Sequence, residues 1–200
     1  SPPGEAPFSI IGDPVGAPQA VILMEQLIGF GAERIIFLGL CGGLQEHTRI
    51  GDIVIPTHAY REEGTSFHYL PPEVIPSISD PLLSPLEESA ARLGLNVLKG
   101  PLWSTDAIYR ETRAKISRYR QMGVLGVDME ISAVYSVAQY RGIEAAAVLV
   151  VSDETAASEW KPGFNSPRLL ESNALACDLV IDAARQIAGR ETAASKQTGQ

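Results

Sequence analysis

Short unbroken apolar runs alternate along the chain with longer stretches of helical periodicity, and Gly or Pro marks most changes of period. Residues 8–11 (FSII) are a short apolar run stopped by Gly12-Asp13-Pro14, the pattern of a strand and a turn. A helix follows over 17–30. Its Val21, Met24 and Ile28 fall at i, i+3 and i+7, and Ile22, Leu23 and Leu27 make it apolar nearly all round, as in a buried helix. RIIFLGL (34–40) is apolar without alternation, which predicts a central strand covered on both faces. GDIVIP (51–56) predicts another short strand, opened by Gly-Asp and closed by Pro56.

SPLEESAARLG (84–94) carries helix punctuation at both ends: Ser84 as N-cap, Pro85 at the first helical position, Glu87 closing a capping box, and Gly94 just past the end. A polar helix is predicted near 111–122. The next helix puts Ile131, Val134, Tyr135 and Ala138 on one face and stops at Gly142. AAAVLVV (145–151) is the most apolar strand, stopped by SDE. A last helix opens at Ser166-Pro167, carries Leu170, Ala174, Cys177, Ile181 and Ala184 on one stripe, and gives way to a polar tail over 189–200, expected to be disordered.

Strands alternating with helices, with unbroken apolar central strands, predict an α/β fold of three layers, α/β/α, around a mixed, mostly parallel sheet. No repeat shows and no linker divides the chain, so residues 1–188 are read as one domain.

Composition narrows the function. A length of 200 residues suffices for one domain with a real core. The net charge of −8 and the lack of a basic stripe argue against a nucleic-acid partner. No apolar run approaches the roughly 20 residues of a membrane span, and SPPGEAPF lacks the order of a secretory signal. Cys41 and Cys177 lie far apart and are expected as free buried thiols in a reducing compartment. These features predict a soluble cytoplasmic protein with no membrane partner.

In α/β sheets, ligands bind beyond the carboxyl ends of the strands, and three motifs fall there. GLCGGL (39–44) reads as a Gly-rich turn after a strand, either a tight structural turn or a cradle whose backbone N–H groups face an anion. It lacks the Walker Lys and the spacing of a dinucleotide loop. Asp128-Met129-Glu130 stands at a helix start, where the dipole favours acids. Glu130 fits that explanation less well, because Val127 and Met129 put it on an apolar boundary; a carboxylate there suits vicinal hydroxyls such as those of a sugar. Ser152-Asp153 ends a buried strand, as a cap or as a proton donor.

Taken together, GLCGGL, IGDIVIP, YREEGTSFHY, STDAIY, GVDMEISAVYSVA and VVSDE resemble, in order, the landmarks of the family-1 nucleoside phosphorylases, over about residues 8–187. REEGTSFHYLPP and YRET look most like the uridine-phosphorylase branch. The resemblance implies that Glu130 grips the ribose hydroxyls, Met129 packs under the sugar, and Val15 in IGDPVG lies in the segment that touches it. Gly39, Cys41, Gly42 and Gly43 would form the phosphate loop. Ile108, where an aromatic often stacks, and Asp153, the acid of purine-specific members, would meet the base, with Arg168 orienting Asp153. No cofactor or metal is implied, only inorganic phosphate as co-substrate, and the protein is expected to be a homo-oligomer, a dimer or a trimer of dimers.

Two departures stand out. Phe37 and Leu40 occupy positions where family phosphorylases carry a phosphate-binding Arg and a Ser or Thr, and neither can donate to an anion. The family's opening strands have no counterpart upstream of Phe8. His47 and His58 are read as loop or surface residues, and His68 as a candidate to face a neighbouring subunit. Trp160 and Phe164 are read as a hydrophobic anchor or a mobile lid. The leading expectation is a nucleoside phosphorylase yielding free base and ribose 1-phosphate. The alternatives are a hydrolytic nucleosidase and a catalytically weak nucleoside-binding or oligomeric protein.

Overall fold

The structure is a computed structural model that describes residues 8–12, 14–155 and 159–198, the last eight by their backbone. The chain's start, Asp13 of the Gly-Asp-Pro turn and the final two residues of the polar tail lie outside the described residues.

In chain order the elements are α1 (Ala17–Gly29), β1 (Arg34–Gly43), β2 (Ile53–Glu62), a 3₁₀ turn at Thr65–His68, α2 (Asp80–Arg92), β3 (Val97–Thr105), a 3₁₀ turn at Ile108–Arg110, and α3 (Arg113–Gln121). Then come β4 (Gly126–Asp128), α4 (Ile131–Arg141), β5 (Glu144–Glu154), β6 (Lys161–Pro162) and α5 (Pro167–Thr198). Gly142 ends α4 in the left-handed conformation, φ 69°, as its position in the sequence predicts.

The strand order is β1-β4-β3-β2-β5-β6, with a further pairing of β1 to β5. The sheet therefore curls until β1 and β5 meet. Its long ladders are parallel: β1 on β5 from Arg34↔Glu144 to Gly43↔Glu154, and β2 on β3. The β1–β4 and β2–β5 joints are antiparallel and short. A mixed, mostly parallel sheet is thus what forms. Two helix pairs, α1 with α4 and α2 with α5, pack on it, giving the layered α/β class. Ala145 to Val151 of β5 are fully buried at its centre.

Closing the sheet explains the glycines. At Gly42 and Gly43, β1 pairs with β4 on one side and β5 on the other. A Cβ on Gly126 would stand 2.9 Å from the Gly42 carbonyl, and one on Gly43 2.7 Å from the Thr48 carbonyl. GLCGGL is therefore not a turn. β1 runs on through Gly43, shifting register between Cys41 and Gly42, because only glycine lets three backbones approach so closely. β1 meets β4 only at its end, so Arg34 to Cys41 keep one edge without a strand partner among the described residues.

Other boundaries shift for identifiable reasons. Residues 8–11 form no strand; they lack the neighbour a strand needs for its backbone, and Ile10 is exposed. β2 continues past Pro56 to Glu62 because a register shift between Pro56 and Ala59 absorbs the missing N–H. That shift also places His58 inside a strand, half-buried and edge-on to Tyr60, rather than in a loop.

α2 begins one turn early, at Asp80 after Ser79, with Pro85 inside it. Ser84 and Glu87 form no capping box; Ser84 Oγ donates to Glu88 at 2.9 Å. Burial decides: Leu82, Pro85, Leu86, Ser89 and Ala90 form one inward stripe. In α5 the core face is Leu169, Ser172, Ala176, Leu179 and Ala183. The expected stripe is rotated by one residue, so Leu170 and Cys177 are exposed and Cys177 is not the buried thiol expected. α5 also takes in residues 189–198 of the polar segment. No described helix is long and apolar enough to cross a membrane.

Candidate active site

Asp128 and Glu130 do different things, and the local backbone shows why. A helix begins with N–H groups that have no partner inside it. Asp128 Oδ2 accepts from Glu130 N at 2.9 Å and Ile131 N at 2.7 Å, capping α4, while its Oδ1 accepts from Ser104 Oγ at 2.6 Å. Ser104 Oγ also accepts from Ser132 N at 2.9 Å. Ser132 Oγ donates at 2.7 Å to the fully buried Glu63, whose other oxygen takes Ser66 N at 2.9 Å. The ends of β2, β3 and β4 are thereby tied to the start of α4. Burial pushes Asp128 up to about 7 against the pull of its three donors.

With the helix capped by Asp128, Glu130 is free to face the other way. Its Oε1 accepts from Gly16 N at 2.5 Å and its Oε2 from Met129 N at 3.2 Å. Burial raises its carboxyl above the usual range while those two N–H groups oppose the shift. Gly16 presents its N–H from φ 86°, ψ 154°, a conformation open essentially to glycine alone.

Glu130 lies in the wall of a hollow of about 1870 Å³. This exceeds the roughly 300–1,000 Å³ of a usual small-molecule site. The surplus is a trough over the open edge of β1, between α1 and α5, where Leu38 and Leu40 are exposed.

The same hollow receives Val15, Met129, Ile108, Asp153, Gly39, Cys41 and Gly42. Sequence reading names these seven, and the fold brings them to the lining of this one hollow. Val15 is itself 71% exposed, with its N–H on Gln19; the adjoining Gly16 makes the contact with Glu130. Ile108, half-exposed in its 3₁₀ turn, offers an apolar surface but no ring.

Cys41 is buried, and burial together with the charges of Asp128 and Asp153 pushes its thiol up, so it remains neutral and inert. Gly43 belongs to the sheet closure. A Cβ on Gly39 would lie 2.7 Å from the Phe37 ring, and one on Gly42 3.2 Å from Asp153 Oδ2.

Asp153 and Glu154 point to opposite faces at the end of β5. Glu154 turns to Arg49, Lys161 and Ile50 N. Asp153 turns to the hollow, where Ser152 Oγ donates to its Oδ1 and Trp160 Nε1 to its Oδ2, both at 2.7 Å. Arg168 does not reach it. That guanidinium bonds Asp52 at 2.7 Å, because its helix turns it toward the loop before β2. Trp160 and Phe164 stand together with ring centroids 6.3 Å apart, so Trp160 is a hydrogen-bond donor to Asp153 as well as an apolar wall.

Glu111 was missed by sequence reading, although YRET was noted as a landmark. It lines the hollow just after the Ile108 turn. Burial first, then the charges of Asp153 and Glu62, push it up to about 7. Gly16 was missed too; its signal was a glycine closing a Pro-containing turn. His47 and His68 are exposed and outside the hollow. Among the described residues, no cluster of three or more His, Cys, Asp or Glu is placed to hold a metal ion.

Comparison with known proteins decides the family. The family described as the phosphorylase superfamily matches residues 4–189. The chain belongs to that superfamily. This bears out the family-1 nucleoside phosphorylase reading of the motifs and, with it, an enzyme of the pentosyltransferase type. The chain is 31% identical over 165 residues to a guanosine phosphorylase of Halorubrum lacusprofundi, covering 82% of this chain and 68% of that one. It is 32% identical over 174 residues to a DeoD-type purine nucleoside phosphorylase of Shewanella oneidensis, covering 80% and 71%. A DeoD-type relative from Bacillus cytotoxicus is 30% identical over 165 residues, covering 78% and 70%.

Proposed function

We propose that this phosphorylase-superfamily chain cleaves the N-glycosidic bond of a purine ribonucleoside with inorganic phosphate, releasing the base and ribose 1-phosphate. The observation that carries the reading is Glu130, a half-buried carboxylate held by Gly16 N in the wall of a large hollow. In this reading it accepts hydrogen bonds from the vicinal sugar hydroxyls, Met129 lies under the pentose, and Val15 and Gly16 border it. Ile108, Asp153 and Trp160 bound the place of the base. As the bond to the base breaks, positive charge builds on the sugar, which a nearby carboxylate stabilises. The base takes on negative charge, which a proton relieves.

An acid at the base end supports a purine, and so do the relatives named as guanosine and purine nucleoside phosphorylases. Phosphate would enter beside Gly39, Cys41, Gly42 and Gly43. The family reading adds a cytoplasmic homo-oligomer, a dimer or trimer of dimers, with no cofactor besides that co-substrate.

Hydrolysis is the second reading, favoured by one observation. The Phe37 ring covers Gly39 and Leu40 lines the hollow, so neither side chain offers an anion a donor. Assaying base release from a purine ribonucleoside with and without phosphate tests the choice. Phosphorolysis requires phosphate for turnover; equal release without it selects water as the nucleophile.

A further inference from the structure

Asp153, at the end of β5, meets two donors of different kinds, and the difference decides where a proton on it can sit. Trp160 Nε1 donates to Oδ2 at 2.7 Å. An indole nitrogen can only donate, so Oδ2 is held as an acceptor whatever the state of the carboxyl. Ser152 Oγ lies 2.7 Å from Oδ1 and 3.2 Å from the Cys41 carbonyl. Its one hydrogen serves either acceptor, and its lone pairs can receive a hydrogen in turn. A proton on Asp153 therefore rides on Oδ1, beside the hollow, with the Ser152 hydroxyl turned to Cys41. Once that proton leaves, the hydroxyl turns to Oδ1 and both carboxylate oxygens are hydrogen-bonded.

The segment that carries the indole is pinned to the same strand. Trp160 directly precedes β6, which pairs antiparallel with the end of β5, Pro162 opposite Asp153 and Lys161 opposite Glu154. Lys161 Nζ reaches Glu154 at 3.3 Å. At Gly163 the backbone presses on β5 so closely that a Cβ would stand 2.6 Å from the Ser152 carbonyl. One strand end thus carries the acid and anchors its donor. Arg168, the cation that sequence reading set beside Asp153, bonds Asp52 instead. A guanidinium beside the carboxyl would draw the proton off it, whereas a neutral indole orients the group without that charge.

Resting on the phosphorolytic reading above, with Asp153 as the acid that meets the base, we propose that Trp160 is a positioning residue. Its indole N–H fixes Asp153 Oδ2, so that Oδ1 presents the proton to the leaving base. The C1′–N bond breaks with its electron pair going to the base, a ring nitrogen of the base takes the proton from Oδ1, and a phosphate oxygen forms the new bond to C1′. The Ser152 hydroxyl then donates to the emptied Oδ1, and Asp153 regains its proton from water.

The test measures base release by the wild-type protein, Trp160→Phe, Asp153→Asn and the double variant. Two substrates are compared, a purine ribonucleoside and its 7-methylated counterpart, whose base departs without taking a proton. Phenylalanine keeps an apolar ring and deletes the N–H. Trp160→Phe is expected to lower kcat on the ordinary purine by about 10–30-fold, or about 1.4–2 kcal/mol, the scale of one hydrogen bond to a charged group. KM and the 7-methyl rate are expected to change less than about threefold. In the Asp153→Asn background the same substitution is expected to change kcat less than about threefold, because a residue acting through Asp153 has nothing left to position. Retained 7-methyl turnover also shows that the variants are folded. Equal losses on both substrates, an unchanged kcat, or the full loss repeated in the Asp153→Asn background overturns the role while leaving the enzyme's activity in place. Absence of base release from either substrate by the wild-type protein would remove the functional reading and this role with it.

Discussion

Gly16 N donates to Glu130 Oε1 at 2.5 Å, joining two residues 114 positions apart. The bond fixes one carboxylate oxygen and brings the start of α1 to the start of α4. Because Gly16 adopts φ 86°, ψ 154°, a side chain there is strained by about 1–3 kcal/mol. Gly16→Ala is expected to lower the urea midpoint and to raise KM for the nucleoside. An unchanged KM would separate Gly16 from the sugar site.

Asp128 is a structural acid. Removing it orphans the N–H groups of Glu130 and Ile131 and the hydroxyl of Ser104. Asp128→Ala should therefore destabilise the fold by about 1–3 kcal/mol, measured by chemical denaturation. A loss of activity with undiminished stability would contradict this division of labour between the two carboxylates.

The raised carboxyls give stability a definite pH dependence. Asp128 and Glu111 reach about 7 in the folded chain, against about 3.9 and 4.3 when unfolded. Between those values the folded state binds more protons, so their contribution to stability is full at low pH and falls as pH rises toward 7. The urea midpoint should be higher at pH 5 than at pH 8, and Asp128→Asn should flatten the slope. A midpoint that climbs across that interval would refute the assignment.

The phosphate side is open to gain of function. Phe37 and Leu40 both line the hollow and offer no donor. The double variant Phe37→Arg, Leu40→Ser supplies a guanidinium and a hydroxyl, and a charge-assisted hydrogen bond contributes about 1.5–3 kcal/mol. Phosphate KM is expected to fall about tenfold, since each 1.4 kcal/mol is a factor of ten. No change would place the anion elsewhere.

How much of this was legible beforehand follows from which forces are local. The start of α4 at Ile131, its stop at Gly142 and the apolar run of β5 obey short-range rules, and the structure repeats them. GLCGGL misled because glycine is commonly turn punctuation, whereas here it permits contact with β4 and β5, partners distant in sequence. The α5 stripe misled because two helical faces one residue apart are both apolar, and only packing chooses between them. Glu130 was visible as an acid on an apolar boundary. Glu111 was not, since its setting comes from Asp153 and Glu62, on strands separated from it by more than forty positions along the chain.

The central claim is that Glu130 grips the sugar's hydroxyls as the glycosidic bond breaks. The most direct measurement is kcat/KM for base release from a purine ribonucleoside and from its 2′,3′-dideoxy analogue, in the wild-type protein and in Glu130→Ala. A carboxylate bridging two hydroxyls makes charge-assisted bonds of about 1.5–3 kcal/mol each, so the substitution should slow the ribonucleoside by at least about 100-fold. The dideoxy analogue has neither hydroxyl, and its rate should change by less than about threefold, under 1 kcal/mol. Equal losses on the two substrates would contradict the account.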